Sequence, residues 1–332
     1  MSSNFKVRIV ILQYNNSLDT VKCLESVAQL DYPPPAGGFE VIVVDNASAA
    51  NDLEVVKNWI SNQYSSTVHY SLITNHSNTG YAGGNNLGIK YALEHGADYV
   101  LILNPDTTVE KDLLTKLVHK AESDRKVGII APIIIETNHS NILKNVGMIL
   151  DQENSKIYGG KIQWLKPELR HIEWHNFKDN TFERPHKSIV ADKLFLTGAC
   201  LLIKKQVFED IGLFDERYFL YFEDADFCLR VQQAGYKLAI VEDAVIQHQV
   251  SASTSKLGSS LLLRYHYRNA HLFNFKNGPW WVILSLPFWS ILIIIKQVLK
   301  IVLFPKKREV SVAILKGVLD FYFWRFGKVL QK

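Results

Sequence analysis

Residues 98–106 read Asp-Tyr-Val-Leu-Ile-Leu-Asn-Pro-Asp, an apolar run that stops at a proline. Proline lacks the N–H that a sheet ladder needs and favours extended backbone at Asn104, so a strand over residues 99–103 is predicted to end here. Asp106 then lies at the strand's carboxyl end, where open α/β sheets bind their ligands. A carboxylate there could hold a metal ion against a diphosphate. Asp106 and Thr107 are also suited to cap a helix that follows the strand, and this segment alone does not decide between a metal ligand and a helix cap.

Apolar runs and helical patterns alternate on both sides of this stretch. The runs predict strands buried on both faces, and spacings of three and four residues predict helices between them. Such alternation is typical of an α/β protein with a mostly parallel sheet flanked by helices. Residues 80–84 are predicted to form a glycine-rich turn, and residues 138–192 to be an insertion. Strands are predicted at residues 7–12, 39–44, 68–73, 99–103, 127–131, 194–203, 236–241 and 244–248, and helices at 18–30, 53–60, 85–95, 113–121, 204–211 and 224–233.

The composition is that of a folded protein with a sizeable core. Of 332 residues, 47% are hydrophobic and 21% charged, which excludes global disorder. The three cysteines, Cys23, Cys200 and Cys228, are far apart and have no metal-binding spacing. The first residues are polar and do not resemble a signal peptide, so we expect a reducing, cytoplasmic location.

Charge is distributed unevenly along the chain. Residues 256–332 contain 13 Lys or Arg and 2 Asp or Glu, so this segment carries +11 while residues 1–255 carry −7, for a total of +4. The many Trp, Phe, Leu and Ile residues between its charges favour a membrane surface over nucleic acid as its partner. We therefore expect a body over residues 1–255 and a basic, apolar helical tail over residues 256–332.

The tail contains two apolar segments, residues 277–295 and 310–330. The first is uncharged and long enough to span a bilayer, but Pro279, Pro287 and three tryptophans suit an interface better than a hydrocarbon centre. Helices lying on a membrane are the favoured interpretation. A helical pair packed on the body and a true membrane span are the alternatives.

Two polar motifs lie at predicted strand ends. Asp45 follows residues 39–44 and could accept a hydrogen bond from the base or ribose of a nucleotide, although aspartate is also common in turns. Residues 78–86 read Asn-Thr-Gly-Tyr-Ala-Gly-Gly-Asn-Asn, where glycines let backbone approach a ligand and the next helix offers free N–H groups to a phosphate. This motif matches neither the dinucleotide fingerprint nor the P-loop, which argues against dehydrogenases and ATPases. The alternative is a tight loop packed on the sheet.

An acidic cluster follows a run of aromatic residues at residues 218–228. Glu223, Asp224 and Asp226 lie beside apolar side chains and one another, which raises carboxyl pKa values and suits a general base. Acidic residues are also common at helix N-termini because of the helix dipole. His248, after the last predicted strand, is either a structural histidine or a ligand for Mg²⁺ or Mn²⁺.

Six motifs in this order resemble glycosyltransferase family 2, the inverting enzymes of the GT-A fold, and most of all its bacterial rhamnosyltransferase-like members. The resemblance extends over about residues 7–269 and covers the insertion and tail less well. It is carried by Val-Ile-Leu-Gln-Tyr-Asn at residues 10–15, Val-Val-Asp-Asn-Ala-Ser at 43–48, the glycine motif at 78–86, Leu-Asn-Pro-Asp at 103–106, Thr-Gly-Ala at 197–199, and residues 214–228.

The resemblance implies a role for each matching position. Asp224, with Glu223, would be the catalytic base, and Asp106 and His248 would hold a divalent ion, Mg²⁺ or Mn²⁺. Asn104 stands where many members have the first aspartate of the metal motif, which puts the metal requirement in doubt. The residues expected to bind the nucleotide sugar are Gln13, Tyr14, Asn15, Asp45, Asn78, Gly80, Gly83, Asn85, Asn104, Arg264 and Arg268.

The activity implied is transfer of a sugar, with rhamnose on deoxythymidine diphosphate as first choice, to a hydroxyl of a glycan or lipid-linked acceptor in polysaccharide biosynthesis. The enzyme would be peripheral or monotopic at the inner face of the cell membrane, with no nucleic acid partner. A sugar nucleotidyltransferase is disfavoured because residues 13–18 contain no Lys, Arg or Gly. A non-catalytic, membrane-associated protein that binds nucleotide sugars is disfavoured by the intact Glu223-Asp224 pair and Asp106.

Overall fold

The computed structural model describes residues 5–32, 38–63, 68–137, 156–162, 164–165, 170–173, 194–249 and 259–329. Strands and helices alternate along the first half of the chain, as the apolar pattern predicts. The strands are β1 (Val7–Gln13), β2 (Phe39–Asp45), β3 (His69–Thr74), β4 (Tyr99–Leu103), β5 (Thr107–Val109), β6 (Val127–Thr137), β7 (Lys156–Lys161), β8 (Arg170–Glu173), β9 (Leu194–Leu196), β10 (Cys200–Lys204) and β11 (Lys237–Gln249). The helices are α1 (Ser17–Val27), α2 (Ala50–Ser61), α3 (Gly80–Glu94), α4 (Leu113–Ser123), α5 (Lys205–Ile211), α6 (Glu223–Gln233), α7 (Ser259–Asn277), α8 (Trp280–Leu303) and α9 (Arg308–Tyr322).

The described strands form one sheet in the order β3-β2-β1-β4-β10-β6-β11-β5. Its first four strands are parallel, and β10 lies antiparallel between β4 and β6. Alternate side chains of β1 and β2 pack into two apolar layers, with Val10 and Val44 on one face and Ile9 and Val43 on the other. The predicted α/β class with a mostly parallel sheet flanked by helices is thus confirmed.

The parallel register brings the carboxyl ends of neighbouring strands to one edge of the sheet. Gln13 pairs with Asp45, and Asp45 pairs with Thr74 on the next strand. Leu103 ends β4 on the other side of β1, just before Asn104. This edge is where the nucleotide crevice of an open α/β sheet lies.

Three element boundaries differ from the sequence prediction. Residues 80–84 are the first turn of α3 rather than a loop, because Gly84 and Gly88 let the helix pack directly on Leu12 and Val10 of β1, where a Cβ atom would overlap these side chains. Residues 194–203 are two strands, since the backbone turns at residues 197–199. The two strands predicted at residues 236–241 and 244–248 are the single strand β11 (Lys237–Gln249), whose register with β6 shifts between Val241 and Val245.

The predicted insertion, residues 138–192, is described only in part. Its described residues include β7, which pairs with β6, β8 and β9, and β8 at its edge. The rest of the predicted insertion lies outside the described residues.

The described tail residues form three helices rather than the two predicted segments. α7 packs against α9, and its buried face contains Leu262, Tyr265, Ala270 and Phe273. α8 buries only Val282, Leu286, Ser290 and Gln297, and His271 and Tyr322 lie within hydrogen-bond distance of the Ser290 hydroxyl at 3.1 and 2.7 Å. By length and composition, α8 is the one helix of the described residues that could cross a membrane.

Candidate active site

Gln13 and Asp45 form the first corner of the polar edge. Gln13 Nε2 donates to Asp45 Oδ1 at 2.9 Å and to Ser48 Oγ at 2.9 Å, and the Ser48 N–H donates to Asp45 Oδ2 at 3.1 Å. Asn15 has a left-handed backbone (φ 50°), and its Oδ1 accepts the Ala49 N–H at 2.8 Å. The ends of β1 and β2 are therefore held together around the Asp45 carboxylate, and Tyr14 lies in the same segment.

Asn46 connects this corner to the glycine motif. Its amide nitrogen donates to Asn78 Oδ1 (3.2 Å) and to the Gly80 carbonyl (3.1 Å), and its Oδ1 accepts the Thr79 N–H (3.1 Å). Asn78 Oδ1 also accepts the Gly80 N–H at 2.8 Å. Asn46 belongs to the sequence motif at residues 43–48, but no role was predicted for it. Its position directly after Asp45, at a strand end, is the signal that could have found it.

The N-terminus of α3 does not present its first N–H groups to a ligand. The Gly80 N–H is bonded to Asn78, and the Tyr81 N–H donates to the Phe219 carbonyl at 2.7 Å. The expectation of free N–H groups for a phosphate is therefore wrong at these two positions. A Cβ atom at Gly80 would overlap the Phe219 carbonyl, and one at Gly83 would lie 2.7 Å from Thr79 Cβ, so both glycines serve close packing.

Asn85 is the residue of this motif with spare hydrogen-bonding capacity. Its amide nitrogen donates to the Tyr81 carbonyl at 3.0 Å. Its Oδ1 is buried and has no hydrogen-bond partner among the described residues. A buried acceptor without a donor is costly, so a ligand hydroxyl would satisfy it.

Asn104, Asp106 and His248 form the second corner. The short strand β5 pairs with β11 so that Thr107 lies opposite His248. This pairing places His248 Nε2 3.2 Å from Asp106 Oδ1 and 3.4 Å from Asn104 Nδ2. The three residues predicted for the diphosphate and metal are thus brought together by an antiparallel ladder.

The chemistry of this corner suits a divalent ion that is partly held by its substrate. A carboxylate and an imidazole are ligands that Mn²⁺ and Mg²⁺-type sites accept. Among the described residues there is no group of three or more His, Cys, Asp or Glu that could hold a metal ion. An ion here would therefore take its remaining ligands from a bound diphosphate or water.

Glu223 and Asp224 begin helix α6, where Glu223 is buried and Asp224 is half-buried. Asp224 Oδ2 accepts the Gly198 N–H (3.1 Å) and Oδ1 accepts the Ala225 N–H (2.7 Å). Burial raises the pKa of Asp224 to about 6, although these backbone donors act in the opposite direction. Burial and the neighbouring Asp224 raise the pKa of Glu223 further, and Glu223 Oε2 has no hydrogen-bond partner among the described residues. A carboxyl group with a pKa near neutrality is suited to take a proton.

The turn at residues 197–199 joins the separate motifs into one site. The Gly198 N–H binds Asp224, the Gly198 carbonyl accepts the Tyr81 hydroxyl at 2.6 Å, and the Ala199 carbonyl accepts the Asn104 N–H at 2.9 Å. Burial, and then the charges of Glu223, Asp224 and Asp106, raise the pKa of Tyr81 well above its ordinary value. The carboxylates of Glu223, Asp224 and Asp106 are therefore near enough to act on one hydroxyl, that of Tyr81.

The structure does not place the two predicted tail arginines at this site. Arg264 forms an ion pair with Asp320 of α9 at 2.6 Å. Arg268 is completely buried, and its guanidinium donates to the carbonyls of Arg217, Tyr218, Arg325 and Gly327 and to Asn269 Oδ1. Their expected role in diphosphate binding is corrected, because these contacts occupy the guanidinium groups.

Comparison with known proteins agrees with this geometry. The profile of "Glycosyl transferase family 2" matches residues 8–212, and that of "Glycosyl transferase family group 2" matches residues 169–305.

Two curated relatives are similar over much of the chain. "Low-salt glycan biosynthesis hexosyltransferase Agl10" of Haloferax volcanii is 28% identical over 265 residues, which cover 80% of this chain and 74% of that one. "N-acetylglucosaminyl-diphospho-decaprenol L-rhamnosyltransferase" of Mycobacterium tuberculosis is 28% identical over 184 residues, or 55% of this chain and 57% of that one.

A solved structure, that of the mannosyltransferase PcManGT from Pyrobaculum calidifontis in complex with GDP-Man and Mn²⁺, superposes with a TM-score of 0.53 at 15% identity. The match covers 98% of this chain and 89% of that one. At this identity the likeness shows a shared fold.

Proposed function

Because the chain belongs to glycosyltransferase family 2, we propose that it transfers rhamnose from deoxythymidine diphosphate to a hydroxyl group of a lipid-linked glycan. It is a glycosyltransferase, and the choice of sugar rests on its likeness to a rhamnosyltransferase whose name specifies a diphospho-decaprenol acceptor. The observation that carries the proposal is the half-buried Asp224 carboxyl, with its raised pKa, bonded to the turn that also contacts Tyr81 and Asn104.

The reaction is a single displacement at the anomeric carbon. Asp224 takes the proton of the acceptor hydroxyl while the oxygen of that hydroxyl forms the new bond to the anomeric carbon. The bond from the carbon to the diphosphate oxygen breaks, and the nucleoside diphosphate leaves with the electron pair. One displacement inverts the configuration. A base that gains a proton in the transition state contributes a rate factor of about 10²–10⁴.

The donor lies along the polar edge in this proposal. Asp45, oriented by Gln13, accepts hydrogen bonds from the base or ribose, with Tyr14 and Asn15 beside it. Asn85 Oδ1, which needs a donor, accepts a hydroxyl of the sugar. Asn78, Gly80 and Gly83 shape the wall behind the diphosphate rather than binding it through free N–H groups.

Asp106 and His248 are the residues that would hold a divalent ion, Mg²⁺ or Mn²⁺. When bound, the ion would supply positive charge to the departing diphosphate. Asn104 adds no charge to this corner, and its amide lies beside His248 Nε2. Fewer protein charges imply weaker binding of the free ion and a greater contribution from the donor's phosphates.

The tail brings the enzyme to the cytoplasmic face of the membrane as a monotopic protein. The outward side chains of α8 are apolar and exposed, with Trp280 at 74%, Leu284 at 67% and Phe288 at 72%. Phe323 and Trp324, after α9, are 62% exposed. Basic residues suited to anionic lipid headgroups follow at Lys296, Lys300, Lys306, Lys307 and Arg308. The hydrogen bonds of Ser290 tie α8 to α7 and α9, which favours a helix lying on the bilayer over an isolated span.

A donor panel tests the reaction. The full chain is incubated with dTDP-rhamnose, UDP-glucose, UDP-N-acetylglucosamine or GDP-mannose and a polyprenyl-diphospho-N-acetylglucosamine acceptor. Mass spectrometry should detect addition of one deoxyhexose and release of dTDP, and NMR should detect the inverted linkage. In a separate incubation with dTTP and a sugar 1-phosphate, formation of a dTDP-sugar with release of pyrophosphate would instead indicate a nucleotidyltransferase.

Vesicle co-sedimentation tests the membrane proposal. The full chain should bind vesicles that contain anionic phospholipid at low salt, and Phe288→Glu should weaken that binding severalfold. Leu18 of α1, which is 72% exposed, provides the matched control Leu18→Glu, which should bind as wild type does. A full chain that stays in the supernatant at low salt would contradict the proposal.

A further inference from the structure

The segment directly before the catalytic acids has an unfavourable backbone. Phe219, Tyr221 and Phe222 have φ angles of 63°, 71° and 75°, in the left-handed region that side chains other than glycine rarely adopt. Phe222 is the residue immediately before α6, whose first turn contains Glu223 and Asp224. Such backbone persists only where surrounding contacts hold it, and these contacts determine where Asp224 points.

Asn269 of α7 provides the central contact. Its side-chain nitrogen lies 2.7 Å from the Tyr218 carbonyl, 2.7 Å from the Leu220 carbonyl and 3.0 Å from the Tyr221 carbonyl. Its Oδ1 accepts Arg268 Nε at 2.9 Å, which fixes which end of the amide faces the segment. The Asn269 side chain is completely buried, so water does not replace these bonds.

The opposite side of the segment lies against the glycine helix. The Phe219 carbonyl accepts the Tyr81 N–H at 2.7 Å, and Gly80 leaves no room between helix and segment for a Cβ atom. Tyr81 in turn binds the Gly198 carbonyl, and the Gly198 N–H binds Asp224. The segment thus lies between the donor side of the site and Asn269, and its displacement would disturb both Tyr81 and Asp224.

We propose that Asn269 is a positioning residue of the transfer reaction. Through its bonds to three carbonyls, at residues 218, 220 and 221, it stabilises the left-handed backbone of the segment. That backbone keeps Asp224 on the Gly198 N–H and aimed at the acceptor hydroxyl. Arg268 orients the Asn269 amide and binds the Tyr218 carbonyl at 3.0 Å. This inference rests on the proposed function for its catalytic consequence, whereas the conformational consequence does not depend on the identity of the substrate.

Two substitutions in the full chain test it. Asn269→Ala removes the donors, and Asn269→Asp keeps the shape but places carboxylate oxygens against carbonyl oxygens. Both should lower kcat about 100-fold, the effect of a displacement of about 1 Å, while the KM for dTDP-rhamnose changes less than about threefold. A control is Asn274→Ala in the same helix. Asn274 is also buried and bonds to Ala270 and Leu165.

Hydrogen–deuterium exchange provides a readout that needs no turnover. In Asn269→Ala the amides of residues 219–226 should exchange faster than in wild type, and in Asn274→Ala they should not. Equal kcat losses in the alanine variants of Asn269 and Asn274 would reduce Asn269 to a structural residue, as would faster exchange with unchanged kcat. Should wild type transfer no sugar from the donor panel, the proposed function fails, and the exchange experiment still decides whether Asn269 holds the segment.

Discussion

Asp224 and Asp226 lie two residues apart in the first turn of α6, but their surroundings are opposite. Asp224 is half-buried, and the hydrogen bonds it accepts from described residues come from the backbone N–H groups of Gly198 and Ala225. Asp226 is completely buried on the other side, where Arg230, Lys276, Asn277 and Tyr218 donate to it.

One turn of helix α6 can therefore contribute to both the reaction and the stability of the fold. A buried carboxyl without a cation holds its proton to higher pH, which suits a base. Carboxyl groups beside cations behave in the opposite way. Although burial acts against it, bonds from Arg217 and Lys276 lower the pKa of Asp215, which shares Lys276 with Asp226. The cation-lined side therefore binds α6 to α7, and the side without cations carries the carboxyl that we propose as the base.

Asp224→Asn should have the largest effect on activity and separates the two sides most sharply. Loss of the base should lower kcat about 1,000-fold. The same change removes a carboxyl that burial makes unfavourable as an anion, so the unfolding temperature at pH 8 should rise by a few degrees. Initial rates and differential scanning fluorimetry measure both, and near-wild-type transfer by the folded variant would refute the base assignment.

Asp226→Asn should show the reverse pattern. Removing one partner of a buried ion pair leaves Lys276 and Arg230 without that charge, which should destabilise the protein by about 3 kcal/mol. Activity per folded molecule should stay within about tenfold of wild type, since among the described residues Asp226 bonds to Arg230 and Lys276 and not to the turn at residues 197–199. Urea unfolding followed by circular dichroism gives the stability. A kcat as low as that of Asp224→Asn, in fully folded protein, would contradict the comparison.

His248→Ala tests whether the second corner of the polar edge contributes to the reaction rather than to stability. Losing the imidazole next to Asp106 should raise the Mn²⁺ concentration needed for half-maximal activity about tenfold or more, with little change in unfolding temperature. Asn104→Asp, which adds a carboxylate beside His248, should lower that concentration. Titration of Mn²⁺ against initial rate checks both, and identical titration curves for all three proteins would remove the ion from this corner.

A change of one pH unit should alter kcat and stability less than the substitutions above do. Because the pKa of Asp224 is raised to about 6, the folded state holds a proton that the unfolded chain releases from about pH 4. Stability contributed by this group is thus greatest below pH 4 and falls as the pH rises through 6. Activity should move the other way, with kcat falling about tenfold per pH unit below 6. A kcat independent of pH between 5 and 8 would argue against Asp224 as the base.

Much of the fold and part of the site could be predicted from local sequence. The runs that became β1, β2 and β4 alternate with helices, so the parallel sheet and its polar edge follow from pattern alone. The three residues of the second corner, Asn104, Asp106 and His248, were placed by motif resemblance, and the β5–β11 ladder does bring them together.

The contacts of Arg264 and Arg268 were not predictable from the sequence. A basic residue after the last strand is compatible with a phosphate or with protein carbonyls, and its position in sequence does not distinguish them. The helical structure of residues 80–84 was not predicted either, since glycines that permit a turn also permit a helix to pack closely on β1.

The alternation of strands and helices, the motifs and the charge of the tail were predictable from the sequence because they depend on residue type and local periodicity. The partners of the buried charges were not, because they join positions distant in sequence. Gly198 meets Asp224 across 26 residues, and Lys276 meets Asp226 across 50. A carboxylate becomes a base or half of an ion pair according to which backbone or cation the folded chain places beside it. Packing places the N–H groups of Gly198 and Ala225 beside Asp224, and Arg230 and Lys276 beside Asp226.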